Sequence, residues 1–171
     1  LEGSLRIAGE RREELEKRFV PSFLRQMDGL KTYLNQMDAL RTGCHIFAMQ
    51  QATSGGIFAA LWDLCEAAGI GLEIDFKKIQ IFQETIEICE CYQLNPYQMT
   101  SAGCVLLLTN QAETLRNRLE QKGIRAARLG VTTPGKTRVI INGEEQRYLE
   151  RPAPDELMRF LQCELEQSRK V

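Results

Sequence analysis

The sequence predicts an α/β (α+β) fold, a mixed sheet with packed helices preceded by two N-terminal helices. Three observations predict it. From Cys44 onward, short apolar runs alternate with longer amphipathic stretches, as when strands and helices take turns. Glycine or proline punctuates most of the joins. An Asn142-Gly143 pair lies between two apolar runs and marks a hairpin, so the sheet is not purely parallel. With 171 residues, 43% of them hydrophobic, the chain can bury one real core.

Residues Ala8 to Arg18 carry dense charge of both signs, with Leu15 and Phe19 at helical spacing, and read as a solvated helix. After Pro21, Phe23, Met27, Leu30, Leu34 and Met37 recur at threes and fours, which predicts a second amphipathic helix over Ser22–Leu40. Cys44–Met49 reads as a buried strand. Ile57–Ala68 reads as a helix, with Ile57, Leu61, Leu64, Cys65 and Ala68 on its stripe, stopped by Gly69 and Gly71. A strand over Leu72–Phe76 and a helix over Phe82–Tyr92 follow, and Asn95-Pro96 breaks the chain again. Cys104–Leu108, the most continuous apolar run, is the candidate central strand. Next come a helix over Ala112–Lys122, a strand over Arg125–Val131, and the hairpin of Arg138–Ile141 with Gln146–Leu149. Pro154, Asp155 and Glu156 suit a helix's first turn, and Leu157, Phe160, Leu161 and Leu165 form its stripe. Two segments result, an N-terminal helical one over 1–43 and the main domain over 44–171.

Composition narrows the function. Lysine and arginine number 22 against 23 aspartate and glutamate, so no basic excess favours nucleic acid. No apolar run is long enough to span a bilayer, and the first residues carry charge where a signal peptide needs an apolar segment. The six cysteines lack metal-ligand spacing and His45 is the only histidine, so reduced thiols in a cytoplasmic protein are expected, with no metal site. His45, inside an apolar run, reads as a core histidine. Lys136 and Arg138 read as solvated turn charges, and Glu73 and Asp75 as solvent-facing strand residues. The chain opens on Leu1 rather than Met, as a piece of a longer protein would.

The segment with most chemical content is Thr53-Ser54-Gly55-Gly56. It lies between a strand and a helix, where the first helical amides lack partners and carry the positive end of the dipole. Glycine lets a ligand approach the backbone, and Thr53 or Ser54 can cap the helix or donate a hydroxyl to an anion. Thr100-Ser101-Ala102-Gly103, ahead of the apolar strand, is a second cleft-lining candidate. No catalytic residue emerges from spacing alone.

AMQQATSGGIFAALWDLCEAAGIGLEID resembles the C-terminal domain of the aminoimidazole ribonucleotide (AIR) synthetase superfamily, in which MHDxTEGG precedes a helix like ALWELAEASGVG and a strand like IEID. ETIEICECYQLNPYQMTSAGCVLLL resembles the family's ETxEIC stretch, proline and SSG before an apolar strand, and GKTRVIINGEEQRYLERP is similar to the end of its AIR synthase-related branch. The resemblance runs from Cys44 to Pro152 and implies an AIR-synthetase C-terminal-domain-like fold. It implies that a missing N-terminal domain supplies most ATP and magnesium ligands, that the protein is a homodimer, and that a phosphorylated small molecule binds in the cleft.

By the same resemblance, Thr53, Ser54, Gly55, Gly56 and Gln51 would line the phosphate position, with Ser101 and Gly103 on the opposite lip. Gln50 stands at the family's histidine position, Gln51 at its acid and Ser54 at its glutamate. A glutamine neither exchanges a proton near neutrality nor lends charge to a metal, so the fragment alone is expected to hold no cofactor and to be inactive. The ending EQSRKV lacks the cysteine acceptor of the hydrogenase-maturation dehydratase, which disfavours that activity. Two readings stay open: the cleft domain of an ATP-dependent protein, and a non-catalytic binding or assembly module. If a domain is missing, the exposed apolar face is expected on Ser22–Leu40 and near Val139.

Overall fold

A computed structural model describes residues 1–35 and 42–168. Among these, seven α-helices and six strands alternate as expected of an α/β chain. The N-terminal layer contains α1 (Glu2–Glu10), α2 (Arg12–Arg18) and α3 (Pro21–Gly29), followed by a 3-10 turn over Leu30–Asn35. The charged stretch is therefore two helices joined at Arg11, and the first starts earlier than its charge suggested, because Leu5, Ile7 and Ala8 are buried. The second predicted helix tightens at Gly29, a poor helix former. Its stripe residue Met37 and its predicted end at Leu40 lie outside the described residues.

The rest comprises β1 (Ala48–Gln51), α4 (Gly56–Ala68), β2 (Gly71–Asp75), α5 (Gln83–Cys91), β3 (Val105–Leu108), α6 (Ala112–Gln121), β4 (Gly130–Thr133), β5 (Arg138–Asn142), β6 (Glu145–Tyr148) and α7 (Glu156–Ser168). The strands form two sheets. One has the order β4-β2-β5-β6, with β2 and β5 parallel and the outer pairs antiparallel. The other is an antiparallel ribbon of β1 and β3. The hairpin holds, with Asn142 opposite Glu145. Cys104–Leu108 is not a central strand: among the described residues β3 pairs with β1 alone.

Two other strands shift. β1 starts four residues after Cys44, so His45 is exposed rather than in the core; its amide donates to Gln111 Oε1 and its carbonyl accepts from Thr109. β4 starts at Gly130, not Arg125, because the residue opposite Ile74 must pass against the Glu73 carbonyl, where a Cβ would collide. Arg125 instead lies over the Phe82 ring at 4.7 Å.

Two apolar clusters hold the chain. One gathers Ile57, Leu61, Leu64 and Cys65 of α4 with Leu72, Ile74 and Ile140 of the four-stranded sheet and Leu106 of the ribbon. Of the predicted α4 stripe, Ala68 alone is exposed. The other joins Leu15, Leu24 and Met27 to Ile88, Cys89, Met99, Leu157 and Phe160, so the N-terminal layer shares its interior with α5 and α7. A buried hydroxyl pair, Ser4 Oγ and Thr85 Oγ1 at 2.9 Å, links α1 to α5.

Arg138 is not a solvated turn charge. It is buried on β5, pairs with Glu66, and lies 4.0 Å over the Trp62 ring. The guanidinium holds the Glu66 carboxyl below the usual carboxylate range by hydrogen bonding and charge. A depressed acid contributes stability that is full above its unfolded pKa and is lost as pH falls through the folded value. Glu66→Gln is therefore expected to flatten the acid side of the Tm–pH curve, measured from about pH 7 to about pH 3. An unchanged acid slope would show the pair to be without weight.

Burial raises the Cys89 thiol to about 12 and also raises Cys65 and Cys104. Cys163 is exposed, unlike the interior thiols expected. Rapid labelling by a thiol reagent is accordingly expected at Cys163, with Cys89 and Cys65 reacting at the rate of unfolding. Mass spectrometry of the labelled chain checks this.

Candidate functional site

The mouth of α4 is built by its two glycines. Gly55 (φ 78°) and Gly56 (φ 65°) are both left-handed, a conformation that residues with a Cβ resist. The amide of Gly56 donates to the Thr53 carbonyl at 3.1 Å, which closes the turn. The missing Cβ of Gly56 does not open a cradle. It admits the backbone of Tyr97 and Met99, whose atoms would lie 2.6–2.8 Å from it. The stretch Tyr97–Met99 is thereby pressed against the turn.

The amide of Gly55 points at an anion from within the chain. It donates to Asp155 Oδ2 at 2.6 Å, and the same oxygen accepts from Thr100 Oγ1 at 2.8 Å. Asp155 Oδ1 caps α7 by accepting from Leu157 N at 2.9 Å. The residue is buried, 5% exposed, and its carboxylate accepts from the turn, from Thr100 and from the first turn of its own helix. Spacing identified Asp155 only as a first-turn acid, and Thr100 only as the first residue of a cleft-lining segment. A residue separation of 100 leaves no local trace of this contact.

The predicted site residues divide by environment. Thr53 and Ser54 are exposed at the mouth, and Gln51 is half-buried at the end of β1, opposite Val105. Gln50 Nε2 donates to the Gln51 carbonyl at 3.3 Å. Ser101 is buried and donates to the Met99 carbonyl at 2.8 Å. Gly103 faces the N-terminal layer, where a Cβ would lie 2.6 Å from the Tyr33 carbonyl. The structure thus brings Gln51, Thr53, Ser54, Gly55 and Gly56 together, adds Thr100 and Asp155, and directs Ser101 and Gly103 to other contacts.

Next to the mouth, Phe58 stacks on Tyr97 with centroids 5.4 Å apart, Phe76 lies against both, and Arg147 reaches over the Phe76 ring at 5.3 Å. Partial burial raises the Tyr97 phenol.

The donor set does not fit magnesium. Gln51 offers an amide where a hard cation favours a carboxylate, and both Asp155 oxygens are committed to N–H and O–H donors. Glu73 is exposed, and Asp75 Oδ1 accepts from Lys77 N. Among the described residues, no three His, Cys, Asp or Glu side chains gather as a metal would require. None of the described helices is long and apolar enough to cross a membrane.

The apolar surface lies only in part where it is expected: Tyr148, opposite Val139 on β6, is 71% exposed, and residues 36–40 of the predicted helix lie outside the described residues. Val139 is buried, as are Leu24 and Met27. On the ribbon, Phe47 and Met49 are 59% and 52% exposed. Alternation puts them on one face with Gln51, and the register adds Leu107 and Val105, both half-buried, opposite Met49 and Gln51. The other face, with Ala48 and Leu106, joins the core.

The carbamoyl dehydratase HypE of Rhodobacter capsulatus is 28% identical over 76 residues, which make up 44% of this chain and 22% of that protein. The crystal structure of E. coli HypE, a hydrogenase maturation protein, superposes with a TM-score of 0.62 at 24% identity, over 76% of this chain and 42% of that one. A HypE structure in complex with ATP superposes with a TM-score of 0.57 at 17% identity, over 66% of this chain and 38% of that one. At such identities the superpositions show a shared fold, and the chain spans less than half the length of each relative. The family model described as AIR synthase related protein, C-terminal domain, matches residues 6–142. That match takes in most of the chain, its N-terminal layer included, and the chain therefore belongs to the AIR synthase-related family as a C-terminal domain.

Proposed function

We propose that this chain is the cleft-forming C-terminal domain of an ATP-dependent protein acting on a phosphorylated small molecule. In this reading the chain shapes and binds, and the N-terminal half of the same protein supplies the metal ligands. The observation that carries it is the mouth of α4: Thr53 and Ser54 are exposed beside the positive end of the helix, in the turn that the resemblance implies is ligand-facing. Their hydroxyls would donate to a phosphate. Gln50 and Gln51 can position a ligand by hydrogen bonds and cannot serve as general acid or base near neutral pH. The nucleotide-bound relative supports ATP as the ligand class.

The ribbon face supports the missing half as a partner. Phe47, Met49, Val105 and Leu107 form an apolar surface beside Gln51 that gains by being covered. The same surface is what favours the second reading, an assembly module that docks through this face and transforms nothing.

The two readings separate on Thr53→Ala/Ser54→Ala. Both residues are exposed, so the double variant should keep stability within about 0.5 kcal/mol. With the N-terminal half restored ahead of Leu1, calorimetry should show Mg-ATP or phosphorylated-substrate affinity falling by about tenfold, of the order of two lost hydrogen bonds. Unchanged affinity in a folded double variant would remove the turn from the site. Absence of any ligand heat in the unsubstituted protein would favour the assembly module.

A further inference from the structure

We infer that helix α7 is a built-in competitor for the anion position at the mouth of α4, so that an external phosphate reaches the Gly55 amide only when the N-terminal end of α7 withdraws. This rests on the reading of that turn as a phosphate site.

The two carboxylate oxygens of Asp155 have different tasks. Oδ1 accepts from Leu157 N and, at 3.4 Å, from Met158 N, which is all the capping α7 needs. Oδ2 is spare for the helix and crosses to the Gly55 amide and the Thr100 hydroxyl. It takes the place a phosphate oxygen would take at the mouth of a helix, with the same sign of charge and the same donor.

The tether is suited to withdrawal. Residues 150–154 have no regular structure, are exposed, and include Pro152 and Pro154. Beyond Asp155 the helix is anchored, because Leu157 and Phe160 are buried with Ile7, Leu15 and Met27 in the N-terminal cluster. Withdrawing Asp155 therefore strains the packing of α7 on α1–α3, and an anion at the mouth is coupled to the N-terminal layer. Thr53 and Ser54, exposed outside the Asp155 contact, remain free to receive the ligand first.

The test is a titration of the 15N-labelled 171-residue chain with inorganic phosphate, followed at the Gly55 amide. In the unsubstituted chain that amide should not respond and should be protected from hydrogen exchange. Asp155→Ser retains a capping hydroxyl for α7 and is too short to reach Gly55. It should expose the amide to exchange and give a saturable phosphate shift, at least ~10-fold tighter, since apparent affinity scales with the open fraction. Equal phosphate affinity in both chains overturns the competitor. So does a folded Asp155→Ser chain, with native Trp62 emission, that shows no response at Gly55. If Asp155→Ser does not fold, Thr100→Val leaves the α7 cap intact and removes one of the two contacts of Oδ2. It should then show a smaller gain, and no gain overturns the inference. Adding Thr53→Ala/Ser54→Ala to the open variant separates the two claims: a phosphate shift that persists undiminished defeats the hydroxyl reading and leaves the competitor standing.

Discussion

Gly56→Val is expected to lower the unfolding free energy by about 3–5 kcal/mol, a large share of the stability of a domain this size. Two costs combine. The residue is held at φ 65°, where a β-branched side chain is strained. Its Cβ would also press on the Tyr97 carbonyl and on the Met99 amide and carbonyl, at 2.6–2.8 Å. Backbone cannot step aside as a flexible side chain can. Chemical denaturation followed at Trp62, the chain's only tryptophan, measures the loss. Because the lost stability is structural, reduced ligand binding by this variant would say nothing of the site. A loss below about 1 kcal/mol would contradict the close packing of α4 on Tyr97–Met99.

The second large effect is expected at Met27. It is fully buried in the N-terminal layer against a cluster that includes Ile88, Met99 and Leu157. Met27→Ala should cost about 2–5 kcal/mol by lost burial and a cavity. Trp62 is packed in the other cluster, on α4, so it reports whether the loss is local. One cooperative transition, shifted for both Trp62 emission and far-UV circular dichroism, is the expected result. Two separated transitions would mean that residues 1–43 and 44–171 unfold as independent units.

The fold was legible where a local pattern decides structure. α4 shows why: its stripe, the Gly55-Gly56 entry and the Gly69 stop are all contained in the stretch they describe. The Asn142-Gly143 hairpin is similarly local. β3 was misplaced because VLLL encodes apolarity but not the number of neighbouring strands, and a half-buried apolar ribbon reads like an interior strand. His45 was misread for a related reason, since an apolar neighbourhood in sequence is not one in space.

The candidate site was legible in part. Glycine spacing located the mouth of α4, but it could not distinguish a glycine that admits a ligand from one that admits Tyr97 and Met99. Nor could it reveal Asp155, which reaches Gly55 across 100 residues of chain. Ser101 and Gly103 lie in the same segment as Thr100, yet it is Thr100 that bonds to Asp155, the carboxylate on the turn. Side-chain direction in an irregular segment has no sequence period to betray it.

On the proposed reading, this domain shapes a nucleotide cleft that an N-terminal half completes. Titration calorimetry with Mg-ATP tests it most directly, on the 171-residue chain alone and on the chain with the family's N-terminal half restored ahead of Leu1. No binding heat and no ATP turnover are expected for the chain alone, and saturable binding for the completed protein. Magnesium-dependent ATP turnover by the 171-residue chain, or a folded completed protein that gives no heat with Mg-ATP, would contradict it.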